Sequence, residues 1–362
     1  MKRILTAILL ISVLLTVLSL TACGGESEAP VAKDGKDGVG IIKAEIINEE
    51  LWITYSNDPE NPVNVGRIYE EKVDEDSLLP ESAQILDYYP LADGTYGVKA
   101  GRAIYMEEIV VPEKFNGRAI TQVLDNGFSS GGFKKITLPN SISSIGNNAF
   151  SNCLALEELT VPDSVISIGT GAFTGSTALK SVSIPNGVMS IGANAFSGCS
   201  ALEAIVLPAS VTVINASTFA NCTALKTATL PEALKEIGSA AFNGCISLEK
   251  CAIPAGVTAL GNNAFYNCKA LKEVSIPAGL TNVAEKAFME CSSLTTVTIP
   301  KSIVKINERA FQSCRSLTTI NFLGTKEEWT SITKGGTWDN GSAMYKVVCT
   351  DGTIGDDVMT GN

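Results

Sequence analysis

The sequence contains no histidine in 362 residues. That removes the Ser-His-Asp and Cys-His arrangements, most zinc enzyme sites and the commonest general base, while catalysis by carboxylates or by a Ser-Lys pair stays open. Aromatic residues are scarce at 6%, so the core volume of a chain that is 45% hydrophobic comes mainly from Leu, Ile, Val and Ala. Positive charge is also short, with 27 Lys+Arg against 38 Asp+Glu. A nucleic-acid partner is therefore not expected. Ten cysteines are present, but no pair has the C-x-x-C type of spacing that metal ligands need, and neither a metal nor a cofactor is expected.

Charge and hydropathy divide the chain. Residues 1–22, MKRILTAILLISVLLTVLSLTA, place Lys2 and Arg3 before an apolar run that ends at Leu20-Thr21-Ala22-Cys23. This reads as a bacterial secretion signal with a lipidation site: small residues admit a peptidase, and the Cys23 thiol takes a diacylglycerol that holds the new N-terminus in a bilayer. An uncleaved membrane anchor is the alternative, but it has no need of the small residues around Cys23. Cleavage would leave 25 Lys+Arg (27 minus Lys2 and Arg3) against 38 acids, a net charge of −13. Residues 24–110 hold 19 acids and 7 bases, whereas residues 111–362 hold 19 and 18. Residues 23–40 are small, polar and Gly-rich, as a lipidated flexible tether should be. Asp34–Gly38 is a spacer rather than a calcium loop, because Lys36 and Gly38 stand where oxygen ligands belong. Residues 41–109 read as a small acidic β-rich module whose Ile41–Tyr55 stretch is a hairpin about Asn48-Glu49-Glu50.

From residue 133 onward the chain repeats. Proline recurs from Pro139 to Pro300, phenylalanine from Phe150 to Phe311 and leucine from Leu156 to Leu317, eight times each at an interval of 23 residues. A period that survives without an insertion makes each copy one coil of a solenoid with like residues stacked. The alternation in Leu159-Thr160-Val161 before Pro162 gives one short strand per coil, and eight such strands at about 4.8 Å make a parallel sheet roughly 40 Å long. The column Gly146, Gly169, Gly192, Asn215, Gly238, Gly261 and Asn307, broken by Ala284, implies a turn of positive φ. The ends need covers. Val110–Phe133 reads as a degenerate first coil, and Thr325–Trp329 reads as a capping box ahead of a last strand at Tyr345–Cys349. The architecture expected is thus a β-rich solenoid over 110–355 and a tail at 356–362.

The pattern L-x-x-[LV]-x-[LIV]-P-x-[SG]-V-x-x-I-G-x-x-A-F-x-x-C runs in full from Leu179 to Cys199, and again from Leu156 with Ser176 in the last place. It resembles the BspA-like class of leucine-rich repeats. The resemblance implies a leucine-rich repeat array and a cell-surface interaction protein, commonly one that adheres to host or matrix proteins, with no catalytic motif.

Three columns invite a chemical reading. Cysteine stands at 153, 199, 222, 245, 268, 291 and 314, with Ser176 in the eighth copy; parallel side chains one strand apart are misdirected for disulfides, so these read as buried small hydrophobes, as does Cys251. The phenylalanines read as a stack. Lys134, Glu157, Lys180, Glu203, Lys226, Glu249 and Lys272 alternate in sign, which reads as a ladder that holds register, each charge having two opposite neighbours. The outward sheet columns are small and mostly uncharged, without an aromatic or Arg anchor. If a macromolecular ligand, such as a host or matrix protein, is bound, the residues expected to meet it are Thr160, Ser183, Thr229, Ser275 and Thr298, with Glu158 and Lys250 beside them. The rival readings are a scaffold with no ligand, and an enzyme using Glu70, Glu71, Asp74 or Asp87.

Overall fold

A computed structural model describes residues 41–47, 50–55, 58–67 and 81–355. Cys23, the signal-like segment, the tether, Glu70, Glu71, Asp74 and residues 356–362 lie outside the described residues. The chain divides into two compact units, Met1–Val73 and Asp74–Asn362.

In the first unit, strands Ile41–Ile47, Glu50–Tyr55 and Asp58–Arg67 form an antiparallel sheet in chain order. Ile47 pairs with Glu50, so the expected hairpin is present, and the third strand extends it.

The second unit is a β-solenoid whose turns lie about 23 residues apart. Proline opens each coil with a turn, as in Val165 N–H to Pro162 C=O at 3.0 Å. A two-residue strand follows, such as Ser167–Ile168, and a three-residue strand closes the next arc, such as Ser181–Ser183. Such a coil therefore carries two strands and contributes to two sheets, where the sequence pointed to one. The short strands pair in parallel from Arg118–Val123 through Ser144–Ile145 and Ser167–Ile168 to Ser190–Ile191, in register at the 23-residue period from Ser144 onward. The long strands do not make one unbroken sheet. They pair as Glu158–Thr160 with Ser181–Ser183, Ala204–Val206 with Thr227–Thr229, and Glu273–Ser275 with Thr296–Ile299 and Thr319–Phe322. The coil at Lys250 contributes only an isolated bridge to Thr227.

Nine phenylalanine rings, from Phe128 to Phe311, stack face to face with centroids 5.1–5.5 Å apart. Edge-on rings close both ends: Phe133 lies 6.0 Å from Phe128, and Trp338 lies 6.2 Å from Phe311. Phe128 joins the stack although it stands off the regular spacing. At the C-terminal end Thr325 and Glu328 form the capping box of helix Lys326–Ser331, which buries Trp329. Strand Lys346–Cys349 continues the long-strand sheet, and Gly352–Ile354 turns back antiparallel and ends it.

Two expectations are corrected. The boundary at residue 110 falls inside the second unit, because Tyr96–Lys99 pairs in parallel with Arg118–Val123 and so supplies an earlier rung of the array, itself covered by the antiparallel Asp87–Pro90. The glycine column is not a column of positive φ. Gly146, Gly169, Gly192, Gly238 and Gly261 all lie outside that region, which is occupied two and six residues later. Glycine is required there by close approach. A Cβ on Gly169 would come 2.6 Å from Asn147 N, and one on Gly238 would come 2.8 Å from Ala216 N. Asn215 is accommodated because its side-chain Nδ2 donates to Ile191 C=O at 2.6 Å.

Candidate functional site

The long strands present one surface with alternating inward and outward residues, so that Leu159 is buried between Glu158 and Thr160. Parallel pairing puts Thr160 beside Ser183, Val206 beside Thr229, and Ser275 beside Thr298. Thr160, Ser183, Thr229, Ser275, Glu158 and Lys250 are exposed, and Thr298 is half-buried. Shallow depressions lie over the lapses in long-strand pairing, and two of them hold most of these residues. One, of about 540 Å³, is lined by Glu158, Thr160 and Ser183 together with Ser181 and Val206. The other, of about 560 Å³, is lined by Lys250, Ser275 and Thr298 with Glu273. Thr229 lines neither. Val206 was not among the expected site residues, yet at 63% exposure it is the one large apolar side chain on this surface between Thr160 and Thr229. Its place in the outward column was the available signal.

Charge beside this surface is paired rather than continuous. Lys134 bonds Glu107 at 2.6 Å, Lys180 bonds Glu157 at 2.6 Å, Lys226 bonds Glu203 at 3.1 Å and Lys272 bonds Glu249 at 3.2 Å. Each lysine reaches back to the glutamate of the preceding coil and not forward, so the expected two-sided ladder resolves into four separate pairs. Hydrogen bonding to the partner, and then its charge, lowers the Glu107 and Glu157 carboxyls and raises the Lys134 and Lys180 ammonium groups. These groups are solvent-exposed, which makes their contribution one of register more than stability.

The cysteine column is more than small apolar filling. Cys199 Sγ donates to Phe173 C=O at 3.1 Å, Cys222 to Phe196 C=O at 3.1 Å and Cys268 to Phe242 C=O at 3.2 Å. Ser176 belongs in the column for the same reason, since its hydroxyl donates to Phe150 C=O at 2.7 Å. Ser342 does so beyond the last repeat, donating to Phe311 C=O at 2.6 Å. Burial pushes the Cys153 thiol up to about 11 and those of Cys222, Cys251 and Cys314 to about 12. They stay protonated at neutral pH and are not thiolate nucleophiles. Among the described residues no cluster of three or more Cys, Asp or Glu could hold a metal ion, and no helix is long and apolar enough to cross a membrane. Asp87, the one described member of the carboxylate set, is exposed on strand Asp87–Pro90.

A solenoid with a strand surface of this kind defines a repeat scaffold. The sequence matches the family described as BspA type leucine rich repeat region over residues 121–249 and 212–333, more than half of its length, and the chain belongs to that family. The fold is similar to that of a leucine rich cell surface protein from Faecalibacterium prausnitzii, at 21% identity and a TM-score of 0.48 over 70% of this chain and 97% of that one. It is similar to a leucine-rich repeat protein from Bacteroides ovatus, at 26% identity and a TM-score of 0.41 over 72% and 88%. It is also similar to the pneumococcal vaccine antigen PcpA, at 17% identity and a TM-score of 0.31 over 71% and 82%. No curated protein matches the sequence. Family membership supports a binding or scaffold role rather than a catalytic one.

Proposed function

We propose that this is a lipid-anchored, envelope-facing repeat protein that binds another macromolecule through its long-strand surface. The observation that carries the reading is the outward row of small side chains on paired backbone, Thr160 beside Ser183 and Ser275 beside Thr298, all exposed but the half-buried Thr298. Such a surface loses little ordering entropy on contact, and its lack of aromatic anchors fits a broad interface multiplied over many copies on a cell. With the full chain immobilised, Ser183→Arg and Thr229→Arg should abolish capture of whatever matrix protein or envelope component the wild type retains, while circular dichroism stays unchanged. Folded variants with undiminished capture would move the site elsewhere, and a wild type that captures nothing but associates with itself would favour the scaffold.

Attachment through Cys23 rests on the sequence alone, on the small residues before it and the Gly-rich stretch after it. Cys23→Ser should eliminate incorporation of labelled fatty acid and release the protein from the membrane fraction. Labelling that persists in that variant would end the proposal of a lipid anchor.

A further inference from the structure

Between its short strand and the next long strand, each coil runs through a return arc that carries the phenylalanine and cysteine columns. Two positions of this arc have positive φ in every coil from Asn148 to Ser313. At the first, Asn148, Gly171, Asn194 and Asn263 are suited to that conformation, with Ser217 and Ala240 between them. At the second, Asn152, Gly175, Gly198, Asn221, Gly244 and Asn267 are suited to it without exception. In the last two coils both positions change character: Lys286 and Glu290, then Arg309 and Ser313, adopt φ of 55–63°. Left-handed backbone costs an L-residue other than Gly, Asn or Asp about 1–2 kcal/mol. The chain accepts four such residues in succession on one face.

A second kind of cost falls on the same face. Asn267 Oδ1 and Gln312 Oε1 are buried without a hydrogen-bond partner. This is also where the arc becomes furnished. Tyr266, Met289 and Gln312 occupy the place that Ser151, Thr174, Ser197 and Ala220 hold earlier. Backbone bonds set these arcs side by side, with Lys286 N–H to Glu308 C=O at 3.1 Å and Glu290 N–H to Gln312 C=O at 2.8 Å. Local strain that clusters in one place points to function there.

The side chains indicate which partner. Lys286 is paired with Glu285 at 2.9 Å, and Tyr266 OH donates to Glu290 at 3.2 Å. Lys269, Arg309 and Arg315 are exposed and make no ion pair among the described residues, against one exposed carboxylate, Glu308, that is likewise unpaired. Three open cations, two of them planar guanidinium groups that match carboxylates bidentately, beside a tyrosine and a methionine have the composition of a protein interface that the long-strand surface lacks. We infer that the return arcs over residues 263–269, 286–292 and 309–315 form a second interaction surface, separate from the strand surface, and that it takes an acidic segment of a protein partner.

The test titrates labelled poly-L-glutamate into the full chain at low and at moderate salt, with heparin as a second probe. Lys269→Ser/Arg309→Asn/Arg315→Ser should weaken polyglutamate binding by about tenfold or more. Removing three bases elsewhere, Lys301, Lys305 and Lys346, should leave it within about twofold, since the effect is local rather than one of net charge. Independently of any ligand, Lys286→Asn/Glu290→Gly should raise the thermal midpoint. Absence of polyglutamate binding by the wild type, binding that the triple variant retains, or binding of heparin alone would each overturn the assignment. A lowered midpoint in the double variant would remove the strain that motivates it.

Discussion

Deletion of Val161–Ser183 should give a protein that still unfolds in one cooperative transition, with its midpoint lowered by a few degrees, whereas deletion of Val161–Gly171 should give no folded protein. The first deletion joins Thr160 to Ile184, which inherits the place of Val161; Val188, Ile191 and Phe196 then take the places of Val165, Ile168 and Phe173. Phe150 would meet Phe196 in the stack, and Cys199 would stand over Cys153 where Ser176 had been. Every column closes. The second deletion joins Thr160 to Ala172 and drives Phe173 toward the turn that Pro162 had occupied, with polar residues at core positions across the junction. A subtler consequence concerns charge. Removing one coil sets Glu157 against Glu203, while removing two, Val161–Val206, sets it against Lys226 and restores opposite signs. The one-coil deletion should therefore gain more from added salt than the two-coil deletion does. Thermal scans followed by circular dichroism decide both points, and equal damage from the whole-coil and half-coil deletions would mean that the coil is not the structural unit.

The features legible in the sequence were those that repeat with bulk. The phenylalanine column is unmistakable because nothing smaller fills a stack with 5.1–5.5 Å between centroids, and the capping box at Thr325 is a local pattern that needs no tertiary context. The short strands escaped notice because two residues such as Ser167–Ile168 are too few to show an alternation. The glycine column was recognised and its cause misassigned: close approach of coils and positive φ both select glycine, and only coordinates separate them. The first left-handed column was hidden by its tolerance, since one that reads Asn, Gly, Ser, Ala, Lys and Arg has no chemical identity in sequence, whereas the second, Asn or Gly from Asn152 to Asn267, did carry a signal.

The strand surface was placed correctly as outward-facing, because alternation about a buried Leu159 or Val274 determines it. Its depressions were not visible, because they follow from where backbone pairing lapses, and Lys250-Cys251-Ala252 has the same alternating pattern as coils that do pair. The one-sidedness of the Lys–Glu pairs was equally invisible, since a periodic sequence puts each lysine midway between two glutamates and only the side-chain direction chooses between them.

The stacked thiols carry the other large expected effect, which is on pH stability. Burial raises Cys199, Cys245, Cys268 and Cys291 well above the ordinary value of 9.0, as it does Cys153, Cys222, Cys251 and Cys314. In the unfolded chain these groups lose their protons near 9.0, while in the folded chain Cys153 keeps its proton to about 11, Cys222, Cys251 and Cys314 keep theirs to about 12, and the other four keep theirs well above 9.0, so the folded state binds more protons and its stability falls as pH rises above 9.0. Each thiol contributes roughly 1 kcal/mol of loss per pH unit, and eight acting together rival the roughly 5–15 kcal/mol that holds a domain folded. The protein should therefore be stable at neutral pH and unfold within one or two units above 9.0, with the Tyr345 phenol, raised by burial and by its bond to Asp339, acting in the same direction. Substituting Ser at Cys222, Cys245 and Cys268 removes three of the titrating groups but keeps a donor for the carbonyls of Phe196, Phe219 and Phe242, as Ser176 already does for Phe150. This variant should unfold at a distinctly higher pH than the wild type. Alanine at the same three positions should shift the alkaline transition similarly while lowering the thermal midpoint at neutral pH, because three buried carbonyls then lose one of their two donors and keep only a backbone N–H. Circular dichroism followed from neutral pH upward under reducing conditions measures all three proteins, and a serine variant that unfolds at the wild-type pH would show that the thiol column does not set the alkaline limit.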